Sequence, residues 1–223
     1  MTSPARRHFQ RVTASLSSAK TGEGETMVGS AYELMLAKLA IDRRRLKDIK
    51  SIARKIEVKR AELLPAYVDY VAGALSGGRG AQDDVLTTVM IWRIDAGDFA
   101  GALDIARYAI KHRMTLPDLY DRTLSTAIAE EFAEASLSSF KKEAIVIRVD
   151  GAQLAEVAQL TESHDMHDQV RAKLHKAIGY TFERDGDLPA ALEHLRRALE
   201  LDERAGVKQD IARIEKASNA AGK

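Results

Sequence analysis

Carboxylates brought close together are the usual means of holding Mg²⁺ for phosphodiester hydrolysis. One set in this chain has that look: Asp83, Asp84, Asp95 and Asp98, in the stretch DDVLTTVMIWRIDAGD. Neighbouring residues on a helix point about 100° apart, and the twelve residues from Asp83 to Asp95 separate the two pairs by roughly 18 Å. They cannot share an ion within one chain, and helix-start and capping roles account for each of them. Asp83 and Asp84 remain the only catalytic candidates, with Mg²⁺ as cofactor only if the chain cuts DNA itself; no other cofactor is expected. His164-Asp165-Met166-His167-Asp168 and His175 offer metal-ligand types, but Asp165 and Asp168 suit helix caps and the spacing matches no zinc finger, so no metal is assigned. The loop Gly77-Gly78-Arg79-Gly80 lacks the GK[ST] that opens a phosphate-binding helix, which argues against ATP hydrolysis. Pro117-Asp118 follows Glu57-Val58-Lys59, the wrong order for a PD…ExK nuclease, and no Ser-His-Asp or Cys-His set assembles.

The second kind of chemistry is charge. The net charge of +1 over 223 residues hides an asymmetry: residues 1–60 hold 14 Lys/Arg against 6 Asp/Glu, and the remainder 20 against 27. A net of +8 followed by a net of −7 is the pattern of a chain whose N-terminal part meets polyanions. An ordinary solvated charged helix has the same composition. The candidate DNA contacts are Arg6, Arg7, Arg11, Arg43, Arg44, Arg45, Lys47, Lys50, Arg54 and Lys55.

These residues need helices to position them. Four prolines, few alternating apolar runs and strong helical periodicity predict an all-α fold. Ser3-Pro4 opens a short basic amphipathic helix with Ala5, Phe9, Val12, Leu16 and Ala19 on one face, and Thr21–Thr26 reads as a flexible linker. Ser30 and Glu33 form a capping box for a long helix that runs to Leu64, where Pro65 ends it, a length of about 50 Å. Its Met35, Leu39, Leu46, Ile49, Ala53, Ile56 and Leu63 fall at heptad spacing, with Asp42 and Arg60 as breaks. That seam, coiled-coil-like, serves either a second copy of the chain or packing against the chain's own body. Leu39, Leu46, Ile49, Ile56 and Leu63 are the interface candidates.

The body is expected to be built from helix hairpins. Gly80–His112 holds two amphipathic helices broken at Gly97-Asp98, with Val85, Leu86, Val89, Met90 and the only Trp, Trp92, as the likeliest core. The segment Gly186–Leu199 aligns without gaps to Gly97–Ile110, and with Gly179 and Phe182 it resembles a tetratricopeptide unit. Asp150 and Asp168 are placed as caps, Val207–Ala217 as a last helix, and Ile145–Val149 as either a strand or a helix end. The expected organisation is a basic, partly flexible arm (1–29), a long basic helix (30–64), a helical body (65–217) and a disordered tail (218–223). No apolar run approaches a membrane span, no secretory segment opens the chain, and the absence of cysteine excludes a disulfide framework.

Four segments carry a family resemblance: Thr2-Ser3-Pro4-Ala5-Arg6-Arg7-His8, the block GAQDDVLTTVMIWRIDAGDFAGALDIARYAIKH, Asp165–Lys176, and Leu201-Asp202 with Ala205-Gly206-Val207-Lys208. Together they resemble the phage terminase small subunits of tailed phages with cohesive ends, also labelled terminase endonuclease subunits. The likeness spans nearly the whole chain and is least over Asp118–Arg148. It implies a packaging role in the host bacterial cytoplasm: recognising the cos region of concatemeric phage DNA and handing it to the large ATPase subunit. The implied partners are therefore cos DNA, the large subunit and further copies of the chain in a ring, with no membrane. A helical-repeat adaptor for protein segments and an intrinsic Mg²⁺-dependent endonuclease are the competing functions.

Overall fold

The computed structural model describes residues 3–117, 122–140 and 148–221. The chain is all-α, 77% helical, with no strand among the described residues. The helices are α1 (Pro4–Lys20), α2 (Ser30–Asp48), α3 (Ile52–Val58), α4 (Val68–Gly77), α5 (Asp84–Ala96), α6 (Phe99–Lys111), α7 (Leu124–Phe140), α8 (Gly151–Thr161), α9 (Asp168–Asp185), α10 (Leu188–Leu201) and α11 (Lys208–Ala221). They divide into two compact units, Met1–Leu124 and Ser125–Lys223, where the sequence suggested a single body from residue 65 onward.

The first unit is organised around α5. Asp83 caps it, accepting from the Leu86 amide, and Gly97 ends it in the left-handed conformation at φ 81°. Ten of its thirteen residues are buried, Thr87 and Thr88 among them, which marks a helix packed on all sides. The predicted core of Val85, Leu86, Val89, Met90 and Trp92 is in place, and Tyr67 meets Trp92 edge-on at 6.0 Å between ring centroids. Asp98 then caps α6 through the Gly101 amide, and Ala102, Leu103, Ile105, Ala106 and Ala109 are buried, with Ile110 half-buried.

The expected continuous helix from Ser30 to Leu64 does not form. α2 ends at Asp48, Ile49 to Ser51 are extended, and Ser51 caps α3 by accepting from the Arg54 amide. The path then continues through a π-helical turn (Lys59–Leu63) and a 3₁₀ turn (Leu64–Ala66). Tertiary contacts supply the reason. A straight rod of about 50 Å would run past the body, whereas the bend brings Val58, Leu63 and Leu64 into the core. It also brings Lys59 to Asp95 (2.5 Å) and Arg60 to the orphan carbonyl of Ala96 at the C-terminus of α5 (2.9 and 2.6 Å). Asp42, the other apparent break, is buried but accepts from the Tyr67 hydroxyl at 2.7 Å and pairs with Lys38. The start differs too: Gly29, not Ser30, occupies the cap of α2, with no side-chain cap bond.

Helix α1 is no free arm, and it lies on α4 with the opposite face from the one its apolar residues suggest. Ala14 and Ser18 are buried, Ser18 donating to the Ala74 carbonyl at 3.0 Å, while Phe9, Val12 and Leu16 face outward at 65%, 39% and 56% exposure. Gly73 and Gly77 of α4 make the approach possible. A Cβ on Gly73 would lie 2.3 Å from the Arg11 carbonyl oxygen, and one on Gly77 at 2.3 Å from that of Ser15. The expected linker is pinned as well: Met27 is buried and donates to the Gln82 carbonyl (2.8 Å), and the Gln82 amide donates to Glu25 (2.7 Å).

The second unit repeats the joint of the first hairpin. Gly186 is left-handed at φ 88°, and Asp187 caps α10 through the Ala190 amide, matching Gly97 and Asp98. Gly179 lets α9 and α10 close: a Cβ there would meet Leu195 at 2.7 Å. Asp150 and Gln153 form a full capping box on α8. Asp168 instead lies inside the first turn of α9, behind a His167 cap that makes no side-chain bond. α11 reaches Ala221, past the expected end at residue 217 and into the segment read as tail. Residues 145–147 of the undecided Ile145–Val149 stretch lie outside the described residues; Arg148 and Val149 are neither helix nor strand.

Candidate nucleic-acid interface

The ten cations singled out in the sequence divide into those already engaged and those that are not. Arg7 and Arg11 each place a guanidinium 2.8 Å from the carboxylate of buried Asp69 on α4. Burial pushes the Asp69 carboxyl up, but the Arg11 and Arg7 guanidiniums outweigh it and hold it below the ordinary carboxylate range. Arg43 donates to the Thr88 hydroxyl at 2.6 Å, Arg45 pairs with Glu62, and Arg54 pairs with Glu57 at 2.7 Å. Arg6, Arg44, Lys47, Lys50 and Lys55 have no ion pair among the described residues. Four of these five lie on the last turns of α2, the extended break and α3, so the bend itself carries the uncommitted positive charge. Phosphates need such cations, because a Lys or Arg that keeps a carboxylate partner must give it up to bind.

The carboxylate candidates are committed to structure. Asp83 is 1% exposed and accepts from the Tyr70 hydroxyl (2.6 Å) and the Leu86 amide (2.9 Å); burial pushes it up to about 6. Tyr32, on α2, is itself pushed up to about 12 by burial and by the nearby Asp84 and Asp83. Asp84 accepts from Gln82 at 2.8 Å, Asp95 pairs with Lys59, and Asp98 caps α6 while pairing with Arg93 at 3.0 Å. No group of three or more His, Cys, Asp or Glu among the described residues could hold a metal ion. His175 finds a partner that the sequence did not suggest: its Nδ1 lies 2.9 Å from Nδ1 of His194 on α10, with Phe182 stacked on the far side.

The seam residues are largely spent within the chain. Leu39, Leu46 and Leu63 are 0%, 7% and 2% exposed, and Ile49 and Ile56 are half-buried. Leu39, Leu46 and Leu63 thus pack within the chain, while Ile49 and Ile56 keep part of their surface outward. The outward apolar residues include Phe9, Val12 and Leu16 on α1 and Leu34 and Ile41 on α2, together with Ile52 at the start of α3. Phe9 and Leu34 also line a groove of about 290 Å³ with Arg6, Met35 and Tyr70. The Gly73–Gly77 spacing and Asp69 one turn earlier are the sequence signals that place α1 on α4.

The described helices thus carry a cationic bend, with the candidate carboxylates used as caps and ion-pair partners. Residues 36–169 match the phage small terminase subunit family, and the chain belongs to that family. Over 216 residues it is 47% identical to the "Terminase, endonuclease subunit" of Escherichia phage P2, covering 97% of this chain and 85% of that protein. It is 24% identical over 205 residues to the "Probable terminase, endonuclease subunit" of Haemophilus phage HP1, covering 87% and 73%. No solved structure matches. Family membership places the chain in phage DNA packaging, where small subunits bind phage DNA and the large terminase subunit. No helix among the described residues is long and apolar enough to cross a membrane.

Proposed function

We propose that this chain recognises the cos region of concatemeric phage DNA and recruits the large ATPase subunit, which cuts and packages, in the host bacterial cytoplasm. The observation that carries this reading is the set of uncommitted cations Arg44, Lys47, Lys50 and Lys55 around the α2–α3 bend, with Arg6 on α1. They supply phosphate contacts. Cutting is assigned to the large subunit because Asp83 and Asp84 already serve α5, Asp83 buried under Tyr70. Mg²⁺ therefore has no expected role at Asp83 and Asp84. The homo-oligomer, a ring, uses the outward apolar face of α1 and Leu34 rather than the buried seam; several copies on one duplex add weak contacts by avidity.

The test is titration of a cos-containing duplex and a scrambled duplex of equal length at two ionic strengths. Binding to both should weaken steeply with salt, with the cos duplex bound more tightly at each. Equal affinity for the two duplexes would remove cos recognition from this chain, and binding indifferent to salt would remove the phosphate contacts.

A further inference from the structure

Among the described residues, Ile52 is the most exposed large hydrophobic residue, at 75%. It is the first residue of α3, directly after the extended Ile49–Ser51 segment. The backbone break makes it prominent: within an uninterrupted helix it would share its surface with the turns on either side. Lys50 lies two residues before it in the extended segment. Lys55 lies three residues after it, on the same helical face. Lys47 and Arg44 precede it on the closing turns of α2, and none of the four cations has an ion pair among the described residues. Even counting the exposed Asp48, the stretch around Ile52 keeps a net positive charge, because Glu57 and Glu62 are taken up by Arg54 and Arg45.

An exposed β-branched side chain with unpaired cations close before and after it along the chain suits one class of partner. A polyanion satisfies the cations, and of polyanions a nucleic acid also offers an apolar interior, its base stack. DNA-bending proteins use an inserted Ile, Leu, Phe or Met to unstack a base step and kink the duplex while neighbouring cations hold the phosphates. We propose that Ile52 is an apolar wedge, which enters the base stack of duplex DNA held by Arg44, Lys47, Lys50 and Lys55 and bends it. This rests on the DNA-binding reading above and adds a residue, a mode of contact and a change in the DNA. Bending costs least at flexible pyrimidine–purine steps, so the wedge also gives the chain a source of sequence preference without base hydrogen bonds.

The experiment uses the full chain and a cos-containing duplex carrying a donor and an acceptor dye at its two ends. Affinity is read at two salt concentrations and energy transfer at saturation, for the wild type, Ile52→Ala, Ile52→Leu and Ile41→Ala. The wild type should raise end-to-end transfer. Ile52→Ala should bind on the order of tenfold more weakly, keep the same salt slope and leave the duplex straight. Ile52→Leu should restore the bend, and Ile41→Ala, on α2, should leave it intact. Because Ile52 is exposed, all the variants should melt with the wild type. Wild-type binding without bending, or bending by Ile52→Ala, overturns the wedge and leaves the DNA reading standing. Absence of any salt-dependent binding overturns both. If Ile52→Ala binds and bends DNA normally but no longer captures the large subunit, Ile52 is a protein contact and the wedge is wrong.

Discussion

At the scale of single residues, buried or half-buried titratable groups tie each unit to pH in opposite directions. His175 is driven down to about 4, first by burial and then by the neighbouring His194, Arg197 and Arg171; His194 is also lowered, chiefly by burial. With the two Nδ1 atoms 2.9 Å apart, one must donate and the other accept, so both rings cannot be protonated together, and burial favours the neutral forms. Each folded value lies below the ordinary 6.5. The stabilisation is therefore complete above 6.5 and is lost as pH falls towards 4. Asp83 has the reverse sign. Its folded value of about 6 exceeds the ordinary 3.8, so its contribution is largest at low pH and is lost as pH rises between those values. Hydrogen exchange should show α9 and α10 loosening from pH 6.5 to 4, and His175→Leu should flatten that dependence. An unchanged pH profile in His175→Leu would mean that the pair does not control it.

At the scale of elements, the seating of α1 gives the sharpest expectation. Gly73→Ala would gain about 1 kcal/mol of helix propensity in isolation. Here the new methyl meets the Arg11 backbone carbonyl at 2.3 Å and the Ala14 Cβ at 2.8 Å, and overpacking of this kind costs about 1–3 kcal/mol. The contact is with backbone, which cannot rotate away, so the clash should prevail. Gly73→Ala should lower the melting temperature and expose Arg6 and Arg7 to trypsin; a variant as stable and as protease-resistant as the wild type would contradict the seating. The elements also show what could be read in advance. The two Gly-Asp joints were legible because a left-handed glycine followed by a capping aspartate fixes the turn locally, whatever surrounds it. The bend at Ile49–Ser51 was not. Heptad spacing continues across it, and the reason for the break lies in Asp95 and the Ala96 carbonyl, far along the chain. The α1 face was misread for a related reason. Apolar periodicity points inward only where the apolar side is the one covered, and here small residues and Asp69 take the packing. Among the site residues, the basic stretch was legible as charge. Which cations were already paired depends on Asp69, Thr88, Glu57 and Glu62, partners that composition cannot assign.

At the scale of the whole molecule, the outward apolar residues among those described fall mostly in the first unit, which holds Phe9, Val12, Leu16, Val28, Leu34, Leu36, Ile41, Ile52 and Val68 against Phe140 in the second. Phe9 of α1 and Leu34 of α2 line one groove, and contiguous exposed apolar surface marks an interaction site, whereas scattered single residues do not. The proposed self-association should therefore depend on α1. Light scattering should give a mass well above a dimer for the wild type and a smaller one for Phe9→Asp combined with Leu16→Asp, with helicity and melting temperature unchanged. A wild-type monomer, or a double variant of undiminished mass, would contradict it.

The central claim is that the uncommitted cations at the bend, and not the paired ones on α1, hold the phosphates. Measuring the slope of log affinity against log salt for the wild type, Lys50→Ala and Arg7→Ala tests it directly. Each lost phosphate contact should make the slope shallower by about 0.9. Lys50→Ala should show that change per bound protomer and leave stability untouched. Arg7→Ala, which strips a partner from Asp69, should lower stability and leave the slope where it was. The reverse result, a slope changed by Arg7→Ala and unaffected by Lys50→Ala, would contradict the assignment of the DNA surface to the bend.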